Sequence, residues 1–352
     1  MHYPFLLYGS YGYTGSLIAE LAVERGLRPL LAGRDPEKLR LQAEQLGLDY
    51  RAFPLQDQPA LDAALNEAGL ILHIAGPYHR TSRLVAEACL RTQRHYLDIT
   101  GELVVFEYLA AQDERAKHAG VMLLPGVGFD VVPSDCLALY LKQQMPGAVR
   151  LALAVLSLGA GVSQGTALTV VENMSSGGAI RQQGQLLKTP YAARTRLADF
   201  GRGPRTVSMF PLGDLTTAYH STGIANIETY MYLPAAQLRF VRLLRLFTGV
   251  AGLAPVQAWL RRVIKARPAG PTPEARQRGK SLVWGEVTGE NGQCLAARLE
   301  TPDAYHLTAQ TAVRAAEKIL AGEVQPGFQT PAGAFGADFI LEFAGTARYD
   351  LP

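Results

Sequence analysis

The alternation of short apolar runs with amphipathic stretches over residues 1–130 constrains the fold of this chain more than any other feature. Most of the runs are apolar throughout, which is typical of strands that are covered on both faces. Strands separated by helices form right-handed βαβ units, and successive units build a doubly wound parallel sheet. The expected strands are Phe5–Tyr8, Pro29–Ala32, Tyr50–Leu55, Leu70–Ala75, Tyr96–Ile99 and Val121–Leu124. The expected helices are Gly12–Arg25, Pro36–Leu46, Pro59–Glu67, Thr81–Thr92 and Val104–His118.

A glycine-rich loop, "GSYGYTG", lies between the first expected strand and the first expected helix. In a Rossmann-type α/β fold, Gly9 would permit the tight turn, Gly12 would let a pyrophosphate approach the backbone, and Gly15 would let helix and strand pack closely. The free N–H groups at the start of a helix also favour an anion. The alternative is a strand-to-helix turn that binds nothing. The βαβ context favours a dinucleotide site formed by Gly9, Ser10, Tyr11, Gly12, Tyr13, Thr14 and Gly15.

The tip of the second expected strand bears on the choice of cofactor. An NAD site usually has an acidic residue there for the ribose hydroxyls. This chain has Gly33 and Arg34, and the arginine offers a planar fork suited to a 2′-phosphate. We therefore expect NADP(H). Asp35 precedes Pro36 and is expected to cap the next helix, although a ribose contact from Asp35 is an alternative.

The later strands of this half also end in candidate site residues. The loop Ala75, Gly76 and Pro77 interrupts the fourth strand where the nicotinamide half of a dinucleotide would lie. Tyr78 and His79 follow on the expected loop, and either could donate a proton or line the cleft. Glu102 follows the fifth strand, and Asp130 lies in "GVGFDVVPSD" after the sixth.

The second half predicts a different architecture. Apolar or alternating runs recur with fewer helices between them, which favours a mixed, largely antiparallel sheet in a second α/β domain for substrate and dimer contacts. The runs are Val149–Leu158, Arg205–Phe210, Ile224–Leu233, Leu282–Thr288 and Cys294–Leu299. We expect residues 1–135 to form the Rossmann domain and 136–302 the second domain. Residues 303–352, with a helix over Tyr305–Leu320, are expected to pack back on the first.

Two segments of the second half have competing interpretations. Ser163, Gly165 and Thr166 could place a hydroxyl and helix-start N–H groups beside a substrate, or Ser163 or Thr166 could simply cap a helix. Residues 234–267 contain six arginines, one lysine and no acid. Such a helix could touch an anionic membrane or an acidic carrier protein, or it could cover the sheet or line a dimer.

Composition and missing motifs narrow the class. A hydrophobic share of 48%, a charged share of 18% and a net charge of +3 describe a globular, cytoplasmic protein without a strong signal for nucleic acid. The three cysteines make no CxxC pair, and the histidines form no metal-binding motif, so we expect no metal. The sequence contains no run of about 20 apolar residues, so we expect no membrane-spanning segment. The GxSxG and GxxxxGK[ST] motifs are absent, which argues against a hydrolase elbow and a P-loop.

The motifs "GSYGYTG", "AGRDPEKL", "AGPYHRTSRLVAEAC", "HYLDITGE" and "GVGFDVVPSD" together resemble those of saccharopine dehydrogenase-like oxidoreductases. The branch with trans-acting enoyl reductases is the most similar, and "SQGTALTVVENM" extends the resemblance into the second half. The resemblance implies NADP(H) contacts from the glycine loop, Arg34 and Ala75–Pro77. It also implies substrate-side roles near Glu102, Asp130 and Ser163–Thr166. Tyr11 departs from the family pattern, which usually has a small residue there.

These observations predict an NADP(H)-dependent oxidoreductase, with Tyr78, Glu102 and Asp130 as candidate catalytic residues. Its substrate would be an enoyl or carbonyl small molecule that is acyl or polyketide-derived, lipid-like or carrier-bound. A saccharopine-like enzyme acting on imines or amino acids is an alternative, and it would need arginines that face the cleft for a carboxylate. The candidates are Arg80, Arg83 and Arg181. A non-catalytic dinucleotide-binding protein at a membrane surface or in a complex is an alternative of another class. We expect a homodimer.

Overall fold

The computed structural model describes residues 3–158, 161, 163–173, 177–234, 262–264, 266 and 268–351. These residues divide into two compact units. The first comprises residues 1–132 and 305–336, and the second comprises residues 133–304 and 337–352. The chain therefore returns to the first unit after it has built most of the second.

The first unit contains a parallel sheet of seven strands. The strands are β1 (Leu6–Tyr8), β2 (Leu30–Gly33), β3 (Tyr50–Ala52), β4 (Leu70–His73), β5 (His95–Asp98), β6 (Met122–Leu124) and β15 (Gly327–Phe328). Their order is β15-β6-β5-β4-β1-β2-β3, so the order reverses between β1 and β4. In doubly wound sheets such a switch point forms a crevice at the carboxyl ends of the strands.

Helices cover both faces of this sheet. They are α1 (Tyr13–Glu24), α2 (Pro36–Leu46), α3 (Gln58–Glu67), α4 (Tyr78–Thr92), α5 (Leu103–Ala110), α6 (Asp113–Ala119), α11 (Ala304–Leu320) and α12 (Pro331–Phe335). Alternate residues of each strand enter different cores: Leu6 packs with α3, α4 and α5, whereas Leu7 packs with α1, α2 and α11. Burial on both faces explains why these strands read as continuous apolar runs. The predicted doubly wound parallel sheet is confirmed.

Some boundaries differ from those expected. Helix α4 begins at Tyr78, so Tyr78 and His79 form its first turn and do not lie on a loop. The helix expected over Val104–His118 is two helices, α5 and α6, separated at residues 111–112. The two-residue strand β15 joins β6 in parallel and had no recognisable pattern in the sequence.

The second unit contains a mixed sheet. Its strands are β7 (Ala148–Leu158), β8 (Gly178–Gln182), β9 (Gln185–Thr189), β10 (Thr195–Asp199), β11 (Pro204–Met209), β12 (Asn226–Met231), β13 (Lys280–Gly289), β14 (Cys294–Pro302) and β16 (Ala347–Leu351). The main order is β10-β11-β12-β7-β13-β14-β16, with β8 and β9 attached to β12. Among the described strands of this sheet, only β7 and β12 pair in parallel. The predicted mixed, largely antiparallel second sheet is confirmed.

The described residues of this unit include the helices α7 (Val132–Gln144), α8 (Gln164–Asn173), α9 (Asp214–Thr222) and α10 (Pro273–Arg278). Helix α7 packs closely on β13, since a Cβ at Gly285 would lie 2.8 Å from a methyl carbon of Leu141. The tail differs from the expectation that residues 303–352 all pack on the first domain. Strand β16 pairs antiparallel with β14 of the second sheet, because the edge of β14 has unpaired backbone groups that a further strand satisfies.

Candidate functional site

The glycine loop connects β1 to α1 in the tight turn that the sequence predicts. Gly9 has φ of +91°, a value that favours glycine. A Cβ at Gly15 would lie 2.3 Å from the carbonyl oxygen of Gly9, so only glycine lets the helix start pack against the loop. Gly12 differs from both, because it is exposed, has φ of −70° and would place a Cβ 3.2 Å from the Gly9 oxygen.

Helix α1 begins without a side-chain cap. Its N-cap residue is Gly12, which has no side chain to accept from the first-turn N–H groups, and the first turn has no acidic residue. An uncapped N-terminus of a 12-residue helix carries open donors and a partial positive charge. These features fit the pyrophosphate of a dinucleotide, as the motif predicts.

Gln42 of α2 makes two hydrogen bonds to Ser10 of the glycine loop. The Ser10 hydroxyl donates to Gln42 Oε1 at 2.8 Å, and Gln42 Nε2 donates to the Ser10 carbonyl at 2.9 Å. Ser10 is fully buried. Its hydroxyl therefore fixes the loop conformation, and its predicted cofactor contact stays a prediction. Sequence reasoning missed Gln42, which no motif marks.

The tip of β2 presents a cation to solvent. Arg34 is exposed, and its guanidinium makes no ion pair or hydrogen bond with any described residue. Asp35 caps α2 by accepting from the Lys38 N–H at 3.2 Å and also pairs with Lys38 Nζ at 3.5 Å. The expected cap is therefore present. Arg34 stays available for an anion, as a 2′-phosphate site requires.

Tyr11 lies across the same strand tip. Its ring packs on Gly33, where a Cβ would lie 2.5 Å from Tyr11 Cε1. The Tyr11 hydroxyl accepts from the Arg34 N–H at 3.2 Å, and Lys38 Nζ lies 5.6 Å from the ring centroid. Gly33 thus serves the site by admitting a neighbouring ring. Tyr13, also in the glycine loop, makes an edge contact with Tyr305 of α11 at 5.1 Å between ring centroids.

The loop after β4 leads directly into α4. Residues Ala75, Gly76 and Pro77 form this loop, with a cis peptide bond before Pro77, and Tyr78 begins the helix. The Glu102 carboxylate caps α4 from outside: it accepts from the Tyr78 N–H at 2.7 Å, the His79 N–H at 3.1 Å and His79 Nδ1 at 2.8 Å. Glu102 is buried, so this N-terminus is already occupied by an anion from the protein itself.

The Tyr78 side chain is enclosed by aromatic and acidic groups. Its ring contacts the buried His73 edge-on at 5.4 Å between centroids. Burial and the charges of Asp98, Glu102 and Asp130 raise the pKa of Tyr78 well above its usual value. The phenol therefore stays protonated near neutral pH. Its hydroxyl makes no hydrogen bond with any residue the structure describes.

Two further carboxylates lie at the ends of β5 and β6. Asp98 is buried and accepts from the Tyr96 hydroxyl, the Thr100 N–H and the Gly126 N–H, at 2.5, 3.0 and 2.9 Å. Burial raises its pKa to about 6 despite those hydrogen bonds. Asp98 thus ties the two strand ends together, a role that the sequence did not reveal.

Asp130 differs from Asp98 in its hydrogen bonding. It keeps an exposed face and makes no hydrogen bond within the described part of the chain. Its carboxylate lies over Gly101, where a Cβ would be 2.8 Å from Oδ2. The surrounding protein displaces water and raises the pKa of Asp130 to about 6. The structure thus brings Tyr78, Glu102 and Asp130 together at the carboxyl ends of β4, β5 and β6.

The remaining predicted residues lie in the second unit. Ser163 precedes α8, and its Oγ accepts from the Thr166 N–H at 3.2 Å, which is the helix-capping arrangement. Gly165 and Thr166 are exposed in the first turn. A substrate contact from these residues stays a prediction. Arg181 is buried and donates to the carbonyls of Leu215 and Gly184, so it is engaged within its own unit.

Most of the basic segment 234–267 lies outside the described residues, including Arg239, Arg242 and Arg245. Its predicted contacts with a membrane or a partner stay predictions, as does the homodimer. Among the described residues, no helix is long and apolar enough to cross a membrane. In the same residues, no cluster of three histidine, cysteine or acidic side chains could hold a metal ion.

Comparisons with known proteins show what the chain is similar to. Residues 5–124 match the family model of the saccharopine dehydrogenase NADP-binding domain. Over 218 residues the chain is 30% identical to a trans-acting enoyl reductase of Mycobacterium ulcerans, covering 58% of this chain and 52% of the relative. It is 27% identical to a mouse saccharopine dehydrogenase-like oxidoreductase over 206 residues, covering 51% and 48%.

A third comparison extends to the whole fold. Saccharopine dehydrogenase (L-Glu forming) from Saccharomyces cerevisiae superposes with a TM-score of 0.68 at 12% identity, over 99% of both chains. That identity shows a shared fold alone. The matched region of this chain spans about half the length of the curated relatives or less. The resemblance predicted from the motifs is confirmed: residues 5–124 match the saccharopine dehydrogenase NADP-binding domain, and the chain is similar to proteins named as trans-acting enoyl reductases and as a saccharopine dehydrogenase-like oxidoreductase.

Proposed function

We propose that this protein is an NADP(H)-dependent oxidoreductase that reduces an enoyl- or carbonyl-type carbon in an acyl or polyketide-derived molecule. The observation that carries the proposal is the pairing of an uncapped α1 N-terminus with an unpaired Arg34 at the adjacent strand tip. Together they provide donors for a pyrophosphate and a cation for a 2′-phosphate. The names of the enoyl reductase relatives support the substrate class.

Each part of the first unit would have a defined task. The backbone of the glycine loop would hold the pyrophosphate, and Arg34 would pair with the 2′-phosphate. Ala75–Pro77 would lie beside the nicotinamide. The bound NADPH would supply the hydride, and the residues of this chain would position the substrate, exclude water and supply a proton.

Tyr78 and Asp130 are the proposed proton-handling residues. Tyr78 carries a protonated hydroxyl without a hydrogen-bond partner among the described residues, so it can donate to a substrate oxygen. Asp130, with a pKa of about 6, exchanges protons near neutral pH and could reprotonate the site. Glu102 is fully engaged by the start of α4. We therefore propose that Glu102 acts by positioning Tyr78.

Binding and turnover test the proposal separately. Calorimetric titration of the purified protein should show NADPH binding at least tenfold tighter than NADH. Arg34→Ala should lose that preference, because it removes a charge-assisted contact worth about 1.5–3 kcal/mol that only the 2′-phosphate makes. Failure of the wild type to bind either cofactor would overturn the assignment of the loop.

NADPH oxidation should then be followed with enoyl thioesters, ketones and imines as substrates. We expect turnover with enoyl or carbonyl compounds, and at least a tenfold lower kcat in Tyr78→Phe with unchanged NADPH affinity. Turnover with imines alone would shift the substrate class to that of saccharopine-like enzymes. Tight NADPH binding without any turnover would favour the non-catalytic alternative.

A further inference from the structure

The second unit contains a cavity of about 170 Å³ that no part of the proposed reaction uses. Its apolar walls come from Leu158, Phe200 and Leu282. Its polar lining consists of Arg202, Lys280, Arg298 and Glu300, contributed by the turn between β10 and β11 and by β13 and β14. The cavity thus has three cationic side chains and one carboxylate.

The single carboxylate does not balance these cations. Glu300 accepts from Lys280 Nζ at 2.6 Å, whereas Arg298 Nη1 lies 3.9 Å away. Lys280, Arg298 and Arg202 together keep the pKa of Glu300 below its usual value, so Glu300 stays ionised. Among the side chains that line the cavity, one negative charge faces three positive charges, which is an excess of two. Asp199 lies beside the lining, where it accepts from the N–H of Gly201 at 2.7 Å.

The Arg298 guanidinium is packed closely on two sides. Its guanidinium lies over the Tyr349 ring, 4.0 Å from the centroid. On the other side it meets Gly201, where a Cβ would lie 2.5 Å from the guanidinium carbon. Gly201 has φ of +88°, so the turn itself favours glycine there. The planar group is therefore held between a ring and a peptide backbone.

This held guanidinium lacks acceptors. The Arg298 side chain is only 18% exposed, and it makes no hydrogen bond with any described residue. A largely buried cation without acceptors costs free energy unless a ligand or water supplies them. Arg202, exposed at the same cavity, likewise has no ion pair or hydrogen bond among the described residues.

We propose that this cavity is a binding site for a phosphoryl group. The planar fork of an arginine matches the oxygens of a phosphate bidentately. A phosphate monoester carries a charge of about −1.5 to −2 near neutral pH, which matches the excess of two positive charges. A carboxylate would neutralise only one. The proposal stands apart from the dinucleotide site, whose residues all belong to the first unit.

The chain provides a matched control for Arg298. Arg348 is also stacked on a tyrosine, with its guanidinium 3.6 Å from the centroid of the Tyr140 ring. Arg348 makes a close ion pair with Asp338 at 2.8 Å, whereas the ion pair of Arg298 with Glu300 is long, at 3.9 Å. Replacing either arginine by methionine removes a stacked cation from the second unit, but only Arg298 faces the cavity.

The test is calorimetric titration of the full chain with inorganic phosphate at constant ionic strength. We expect saturable binding that is at least tenfold weaker in Arg298→Met and within twofold of wild type in Arg348→Met. Arg34→Ala should retain the binding, which separates this cavity from the dinucleotide site. Titration with acetate should give no comparable signal. If circular dichroism shows that Arg298→Met is unfolded, Arg202→Gln takes its place, and phosphate binding should be weakened at least threefold.

The proposal would be overturned by a wild type that shows no saturable phosphate binding. It would also fail if Arg298→Met, or Arg202→Gln in its place, bound phosphate as wild type does. Loss of binding in Arg34→Ala alone would assign the phosphate to the glycine loop. Equal binding of acetate would replace the phosphoryl group by a general anion. If phosphate titrates in this way and no nicotinamide cofactor binds, the two proposals separate cleanly.

Discussion

Two helix N-termini in the first unit, those of α1 and α4, follow strands β1 and β4 at the switch point of the sheet and differ in what satisfies them. The start of α1 has a glycine cap and no acidic residue in its first turn. The start of α4 is occupied by the Glu102 carboxylate. The same backbone geometry is thus open to a foreign anion at one strand end and closed by the protein's own anion at the next. The fold offers helix N-termini, and the side chains decide which of them can bind.

The difference extends to the charges around each terminus. Arg34 and Lys38 lie near α1, whereas Glu102, Asp98 and Asp130 lie near α4. In NADP(H) the 2′-phosphate lies at the adenosine end, the pyrophosphate lies in the middle and the redox-active ring lies at the other end. The cationic strand tip suits the phosphates, whereas burial, together with the nearby carboxylates, raises the pKa of Tyr78 and Tyr96.

The largest expected effect closes the open terminus. Gly12→Val should abolish NADPH binding, by at least a hundredfold, because its side chain would fill the space that the pyrophosphate needs. The fold should persist, since Gly12 is exposed and has an ordinary φ. Calorimetry measures the affinity and circular dichroism the fold.

Gly15→Ala is the matched control for that variant. Its Cβ would lie 2.3 Å from a backbone oxygen, so it should lower the melting temperature although the side chain is smaller. A Gly12→Val protein that binds NADPH normally would show that α1 does not hold the pyrophosphate.

The next largest expected effect is on the pH dependence of stability, and it concerns His73, whose ring contacts that of Tyr78. Burial lowers the pKa of His73 to about 3, whereas an unfolded chain protonates histidine near about 6.5. The unfolded state therefore binds more protons below pH 6.5, and stability falls as the pH drops. In urea unfolding, His73→Leu should remove up to about 1.4 kcal/mol per pH unit of that dependence between pH 6.5 and 5.

The exposed His118→Gln is the control and should leave the slope unchanged. Parallel pH profiles for wild type and His73→Leu would mean that His73 gains its proton in the folded state. The comparison uses slopes, so a lower stability of His73→Leu at neutral pH does not affect it.

A smaller effect is expected when the N-terminus of α4 loses its acidic cap. Glu102→Gln keeps the size of the side chain but removes the charge that faces the start of α4. We expect a loss of about 1–2 kcal/mol in the free energy of unfolding, as for other lost caps. Glu107→Gln, on the exposed face of α5, should stay within about 0.5 kcal/mol of wild type. Equal stability of Glu102→Gln and wild type would remove Glu102 from the capping role.

The smallest expected effect is on cofactor affinity, and it concerns the Tyr11 hydroxyl. The Tyr11 hydroxyl accepts from the Arg34 N–H, so its own proton is free to point toward a 2′-phosphate. Tyr11→Phe should weaken NADPH binding about threefold to tenfold, with NADH binding unchanged, as expected for one hydrogen bond. Equal weakening of both cofactors would indicate that the ring, packed on Gly33, matters more than the hydroxyl.

The sequence was most informative where one residue type satisfies a local rule. The apolar strands, the glycine turn and the Asp35 cap all follow from such rules, and the structure contains each of them. It was less informative where the outcome depends on partners distant in sequence. Gln42 lies 32 residues after Ser10, and Glu102 lies 24 residues after Tyr78. A strand as short as β15 also cannot be predicted from the sequence, since two residues carry no periodicity.

The return of the chain to the first unit has a consequence for its biosynthesis. Helix α11 buries Ala312, Val313 and Ala316 in the core beneath β1, β5 and β6. A ribosome must therefore make the whole of residues 133–304 before it completes α11, which covers this face together with α1 and α2. Until then, the nascent Rossmann sheet exposes one apolar surface. Completion of the first unit is thereby deferred until the long inserted segment of the second unit has been translated.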